Sequence, residues 1–64
     1  MPIKLLEIYA ETIDGQNVTV TYDNSKPDKI SVEGDNNTNL QGILVSRIIP
    51  LKEAYDRAER IGGN

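Results

Sequence analysis

Asp14-Gly15 separates two alternating stretches, and it constrains this chain more than any other pair of residues. Downstream, Val18-Thr19-Val20-Thr21-Tyr22 alternates and is rich in β-branched residues, which pack well on a pleated, half-buried surface. Upstream, residues 3–13 fit two patterns. As a helix, Leu6, Tyr9, Ala10 and Ile13 fall at i, i+3, i+4 and i+7. As a strand, Leu6, Ile8, Ala10 and Thr12 line one face, and Leu5, Glu7, Tyr9 and Glu11 the other. A turn signal between the stretches favours the strand, because a hairpin joins the two without a long connection.

The register follows from the apolar face. A two-residue loop sets Ala10 against Thr19 and Ile8 against Thr21, which mixes apolar and polar faces. A three-residue loop, Asp14-Gly15-Gln16, sets Ala10 against Val20 and Ile8 against Tyr22. A slip of one residue exchanges the faces, so burial selects the odd-numbered loop. Leu6, Ile8, Ala10, Val18, Val20 and Tyr22 are the expected core face.

Asn24, Ser25 and Pro27 mark a turn over residues 23–28, through local side-chain hydrogen bonds and a fixed φ. Residues 28–33 then alternate, with Ile30 and Val32 inward. A polar loop follows over residues 34–39. Residues 42–49 are the most apolar run, and three isoleucines with a valine predict a fourth strand, apolar on both faces.

Pro50 is predicted to open a helix over residues 51–61. At about 100° per residue, Leu51, Ala54, Tyr55, Ala58 and Ile61 share an arc of roughly 120°. Lys52, Glu53, Asp56, Arg57, Glu59 and Arg60 fill the rest. Glu53–Arg57 and Asp56–Arg60 stand at i,i+4 in the favourable order. Arg57 and Arg60 suit the negative end of the helix dipole, and Gly62 suits its C-terminal cap.

The predicted architecture is α+β: a small antiparallel meander of about four strands, curled or open, with one amphipathic C-terminal helix on its apolar face. A helical residue 3–13 segment would make the order α-β-β-β-α. One domain accounts for all 64 residues. A chain this short buries only about 60% of its unfolded surface, so partner chains are a common further source of stability. It has no cysteine and no histidine, which removes disulfides and the best zinc ligands. No leader-like segment or membrane-length apolar run is present, and a cytoplasmic protein is expected.

Few residues suggest chemistry. Asp35-Asn36-Asn37-Thr38-Asn39 places oxygens as a calcium loop begins, but Leu40 stands where that loop needs glycine and Ser46 where it needs glutamate. A solvated turn is the simpler reading. Glu7 and Glu11 share a strand face, as paired carboxylates would, though so small a domain offers little cleft to desolvate them. Ser25, Ser31 and Ser46 have no histidine to activate them. Basic residues on the helix alternate with acidic ones, so no basic patch forms.

The expected function is therefore non-enzymatic, with no cofactor, metal or small-molecule substrate. The chain reads as a protein-interaction module: an accessory subunit, regulator or inhibitor that docks a sheet face or edge on a protein, or on itself. Tyrosine suits such a surface because it offers large contact area and a polar tip. The expected contact residues are Glu7, Tyr9 and Glu11, then Arg47, and Leu44 or Ile48 if the helix leaves that side open. The alternative is a small barrel-like domain that stacks nucleic-acid bases on Tyr9 or Tyr22. A net charge of −3 opposes it.

Overall fold

The computed structural model describes residues 3–62, with side chains described as far as Ala58. The expected roles of Pro2, Glu59, Arg60, Ile61 and the last two residues lie outside what is described. Three strands, β1 (Leu5–Glu11), β2 (Asn17–Asp23) and β3 (Ile30–Gly34), precede one helix, α1 (Thr38–Gly62). The sheet is an antiparallel meander in the order β1-β2-β3. The helix packs on β2 and, to a lesser extent, on β1, which makes the fold α+β.

The first hairpin has a three-residue loop, placed one residue earlier than expected. Thr12 N–H donates to Gln16 O at 2.8 Å, and Gly15 N–H to Thr12 O at 3.0 Å. The loop is thus Ile13-Asp14-Gly15, a type I turn closed by Gly15 at φ +92°. Glycine takes that φ without the Cβ clash that would shift the turn. Ala10 therefore pairs with Val18, Ile8 with Val20 and Leu6 with Tyr22. The loop remains odd-numbered, so the faces are those expected. Val18, Val20 and Tyr22 are buried, with Leu6, Ile8 and Ala10 packed against them.

The expected fourth strand over residues 42–49 is helical, and Pro50 lies inside α1 instead of opening it. Two observations explain this. Asn37 caps the helix: its Oδ1 accepts the Leu40 N–H at 3.0 Å, three residues on. From there Leu40, Leu44 and Ile48 recur every four residues and make one packed row, with Leu44 and Ile48 buried. The remaining apolar residues, Ile43, Val45 and Ile49, are flanks of a helix and not the second face of a strand. Pro50 has no N–H for the Ser46 carbonyl, and both residues are exposed, so water can satisfy that carbonyl.

The second difference concerns the inward face beyond Pro50. Leu51, Ala54, Tyr55 and Ala58 are exposed, while Lys52 and Asp56 turn toward the sheet. Length accounts for it. A seven-residue strand reaches about 23 Å and a 25-residue helix about 37 Å, so the helix outruns the sheet. The row in contact shifts from Leu44 and Ile48 to Lys52 and Asp56, each four residues on, as the helix crosses the strands. Lys52 Nζ stands 5.4 Å from the centre of the Tyr22 ring.

Asp56 ties the start of the sheet to the helix. Its Oδ1 accepts the Ile3 N–H at 2.6 Å, and its Oδ2 meets Lys52 Nζ at 2.9 Å. The Ile3 N–H first, and Lys52 second, hold the Asp56 carboxyl below its ordinary value of 3.8. A carboxyl lowered in the folded state stabilises it above the unfolded value and ceases to do so as pH falls through the folded one. The Tm gap between the native chain and Asp56→Asn should be full at neutral pH and shrink below pH 3.8. A gap unchanged by pH, read by thermal denaturation across that range, would remove this clamp.

Candidate functional site

The buried core comprises five large side chains among the described residues: Val18, Val20, Tyr22, Leu44 and Ile48. Ten others are at least a third exposed: Leu5, Tyr9, Ile13, Ile30, Val32, Ile43, Val45, Ile49, Leu51 and Tyr55. Single exposed apolar residues are normal, but a majority on the surface, in contiguous groups, marks contact surfaces. They fall into three groups outside the Ile13 loop tip.

The first is the open face of the sheet. Even-numbered residues of β1 pack on the core, so Leu5, Glu7, Tyr9 and Glu11 point to the other side. Tyr9 is 59% exposed. The register sets Tyr9 beside Thr19, and Thr19 beside Glu33. Tyr9 thus has Glu7 and Glu11 beside it on its own strand, with Glu33 on the same face one strand beyond Thr19, so this face is acidic. Its hydroxyl donates to Glu11 Oε1 at 2.7 Å, and that bond raises the Tyr9 pKa above its ordinary value. The three residues expected at this face, Glu7, Tyr9 and Glu11, are all brought together here.

The second is the outer stripe of α1. Ile43, Arg47, Leu51, Ala54 and Tyr55 are exposed and recur at helical spacing, with Arg47 beside Pro50, Leu51 and Ala54 around one shallow hollow. Leu51, Ala54, Tyr55 and Ala58 line another. Arg47 is exposed, as expected. Leu44 and Ile48 are not available to a partner: they form the helix side of the core, at 8% and 0% exposure. Their expected place on an open strand fails because no strand exists there. Leu51 and Tyr55 were legible as apolar residues on one arc. That this arc extends beyond the sheet was not.

The third is a trough between α1 and β3. Chirality locates it. Val18, Val20 and Tyr22 point at the helix, and their row pairs through the backbone with β1, as Asn24 N–H to Lys4 O shows. The alternate row pairs with β3, as Asp23 N–H to Lys29 O and Asp35 N–H to Asn17 O show. Seen from the helix side with β2 pointing up, L-residues then place β1 to the right and β3 to the left. The helix runs parallel to β2, from Asn37 beside Gln16 to Lys52 over Tyr22. In a right-handed helix, Val45 and Ile49, each following a buried residue, turn toward β3. That is the side on which Ile30 and Val32 lie, on the helix face of the sheet opposite Tyr22 and Val20. All four are 36–40% exposed.

The residues that suggested other chemistry have structural work. Asp35 Oδ2 accepts the Asn17 N–H at 2.8 Å, and Gln41 Nε2 donates to Asp35 O at 3.1 Å. With Asn37 as the cap, this oxygen-rich segment fastens the start of α1 to the sheet. Ser25 donates through its N–H and its hydroxyl to Asp23 Oδ1, and that hydroxyl, the larger cause, keeps Asp23 below its ordinary pKa. Ser46 Oγ donates to Ile43 O within the helix at 2.7 Å. Tyr22 is buried under Lys52, so it offers no stacking face. No described helix is long and apolar enough to cross a membrane. Comparisons with protein-family models, with curated proteins and with solved structures give no match.

Proposed function

We propose that this chain is a non-enzymatic protein-interaction module, an accessory subunit, regulator or inhibitor, whose docking surfaces are the open sheet face and the outer stripe of α1. One observation carries the reading: more large apolar side chains lie on the surface than in the core. The chain is also extended. Its radius of gyration is 13.2 Å, against about 11 Å for a compact domain of this length. Its accessible surface is 4731 Å², about 600 Å² more than a compact chain of 7.1 kDa exposes.

The chemistry of the open face selects the partner. Glu7 and Glu11 beside Tyr9, with Glu33 farther across the same face, suit a basic protein surface that also offers an apolar contact for the ring. Nucleic acid would meet like charge on this face. Salt should weaken the docking, chiefly through the association rate.

The test is affinity capture from lysate of the source organism, with and without nuclease, read by mass spectrometry. The reading predicts a stoichiometric protein that survives nuclease, weakens between low and high salt, and is lost with Tyr9→Ala. Capture that depends on nucleic acid, or that is indifferent to Tyr9 and Tyr55 alike, would contradict it.

A further inference from the structure

We propose that two copies of this chain pair antiparallel along the free edge of β3, making one continuous six-stranded sheet. This surface is separate from the open face and the outer helix stripe, so the dimer and the partner reading stand or fall independently.

The backbone supplies the first argument. The odd-numbered residues around β3 bond to β2, at Lys29–Asp23 and Asp35–Asn17. The N–H and C=O groups of Ile30, Val32 and Gly34 therefore point out from the edge. An edge with unpaired groups is a template for another strand. A two-fold axis at Val32 pairs these groups with their own copies: Val32 faces Val32 of the second copy, and Ile30 faces its Gly34.

Charge supplies the second. In that register Lys29 falls opposite Asp35 of the second copy, and Ser31 opposite its Glu33. No like charges meet, and two opposite pairs form across the axis. On the edge of β1 the outward groups belong to Leu5, Glu7, Tyr9 and Glu11: an axis at Glu7 or at Tyr9 sets glutamate against glutamate, and an axis at Ile8 avoids this but forms no opposite-charge pair.

Burial supplies the third. Ile30 and Val32 sit on the core face of the sheet, yet the helix leaves them 36% and 40% exposed. Pairing brings the same two residues of the second copy alongside and narrows the trough bounded by Val45 and Ile49.

The absence of cysteine gives a direct test, since any introduced thiol is the chain's only one. Sedimentation equilibrium of the native chain should show a dimer at micromolar concentration. Val32→Cys should cross-link to itself under mild oxidation, and Glu7→Cys on the other edge should not. Val32→Lys should raise the dissociation constant about tenfold or more while the far-ultraviolet circular dichroism stays native. A chain that stays monomeric to millimolar concentration overturns the dimer, as does a dimer that cross-links through Glu7→Cys and not through Val32→Cys. A monomer that still captures protein through Tyr9 removes the dimer alone. A Val32-linked dimer that captures nothing removes the partner reading alone.

Discussion

Ile48→Ala should cost about 3–4 kcal/mol and leave much of the chain unfolded at 37 °C. Ile48 is fully buried and, with Leu44, is the helix's contribution to the core. A domain of this size is stable by roughly 3–10 kcal/mol, so one cavity removes a large share. The neighbours cannot collapse into the gap, since Val18 and Val20 are fixed by the sheet. Ile49→Ala provides the contrast. Ile49 is one residue on and 38% exposed, and its truncation should cost about 1 kcal/mol or less. Urea denaturation of the two variants separates this helix from the strand expected over residues 42–49. Such a strand, apolar and covered on both faces, would make both truncations costly. Equal costs at Ile48 and Ile49 would contradict the helical packing.

Gly34→Ala should cost about 2–3 kcal/mol, more than the same change at Gly15 or Gly42. Gly34 closes β3 at φ +113°, where L-residues rarely go. A Cβ there would press on the Asn17 carbonyl oxygen, with the Val18 Cα only 3.1 Å away. Those atoms belong to β2, which is anchored on both sides, so nothing nearby can yield. Gly15→Ala provides the contrast. Its φ is +92°, but a Cβ meets nothing within 4 Å. Only the backbone preference is lost, about 1 kcal/mol. Equal Tm losses for the two would show that the close approach of β3 to Asn17 is absent in solution.

The hairpin was legible in the sequence because two local signals agreed, a turn dipeptide and a period of two on either side. The exact turn was not, because Ile13 at the loop tip reads as a strand residue until Gly15 is seen to need a positive φ. Residues 42–49 misled for a physical reason. Ile43, Leu44, Val45, Ile48 and Ile49 have strand-like branching, and the period of four at Leu40, Leu44 and Ile48 is diluted by apolar flanks. The stronger signal was Asn37, a cap placed one residue before Thr38. Pro50 read as a beginning because proline suits the first helical turn. It also suits an exposed interior position where water serves the freed carbonyl.

The docking surfaces divide the same way. Strand alternation alone put Glu7, Tyr9 and Glu11 on one face, and they lie there together. Leu51 and Tyr55 needed a non-local fact, the length of the sheet against that of the helix. Ile30 and Val32 needed another, the lateral position of the helix over β2 and β1. Neither is written in any window of the chain.

The central claim is that function resides in these exposed apolar and acidic surfaces, and calorimetric titration of the captured protein against surface variants tests it most directly. Tyr9→Ala and Tyr55→Ala fold as the native chain does, since both side chains stand about half or more in solvent. The account predicts that at least one of them weakens binding about tenfold or more, as central aromatic contacts do, while Ile13→Ala at the loop tip leaves it unchanged. Native affinity for both tyrosine variants, or a loss confined to Ile13→Ala, would contradict it.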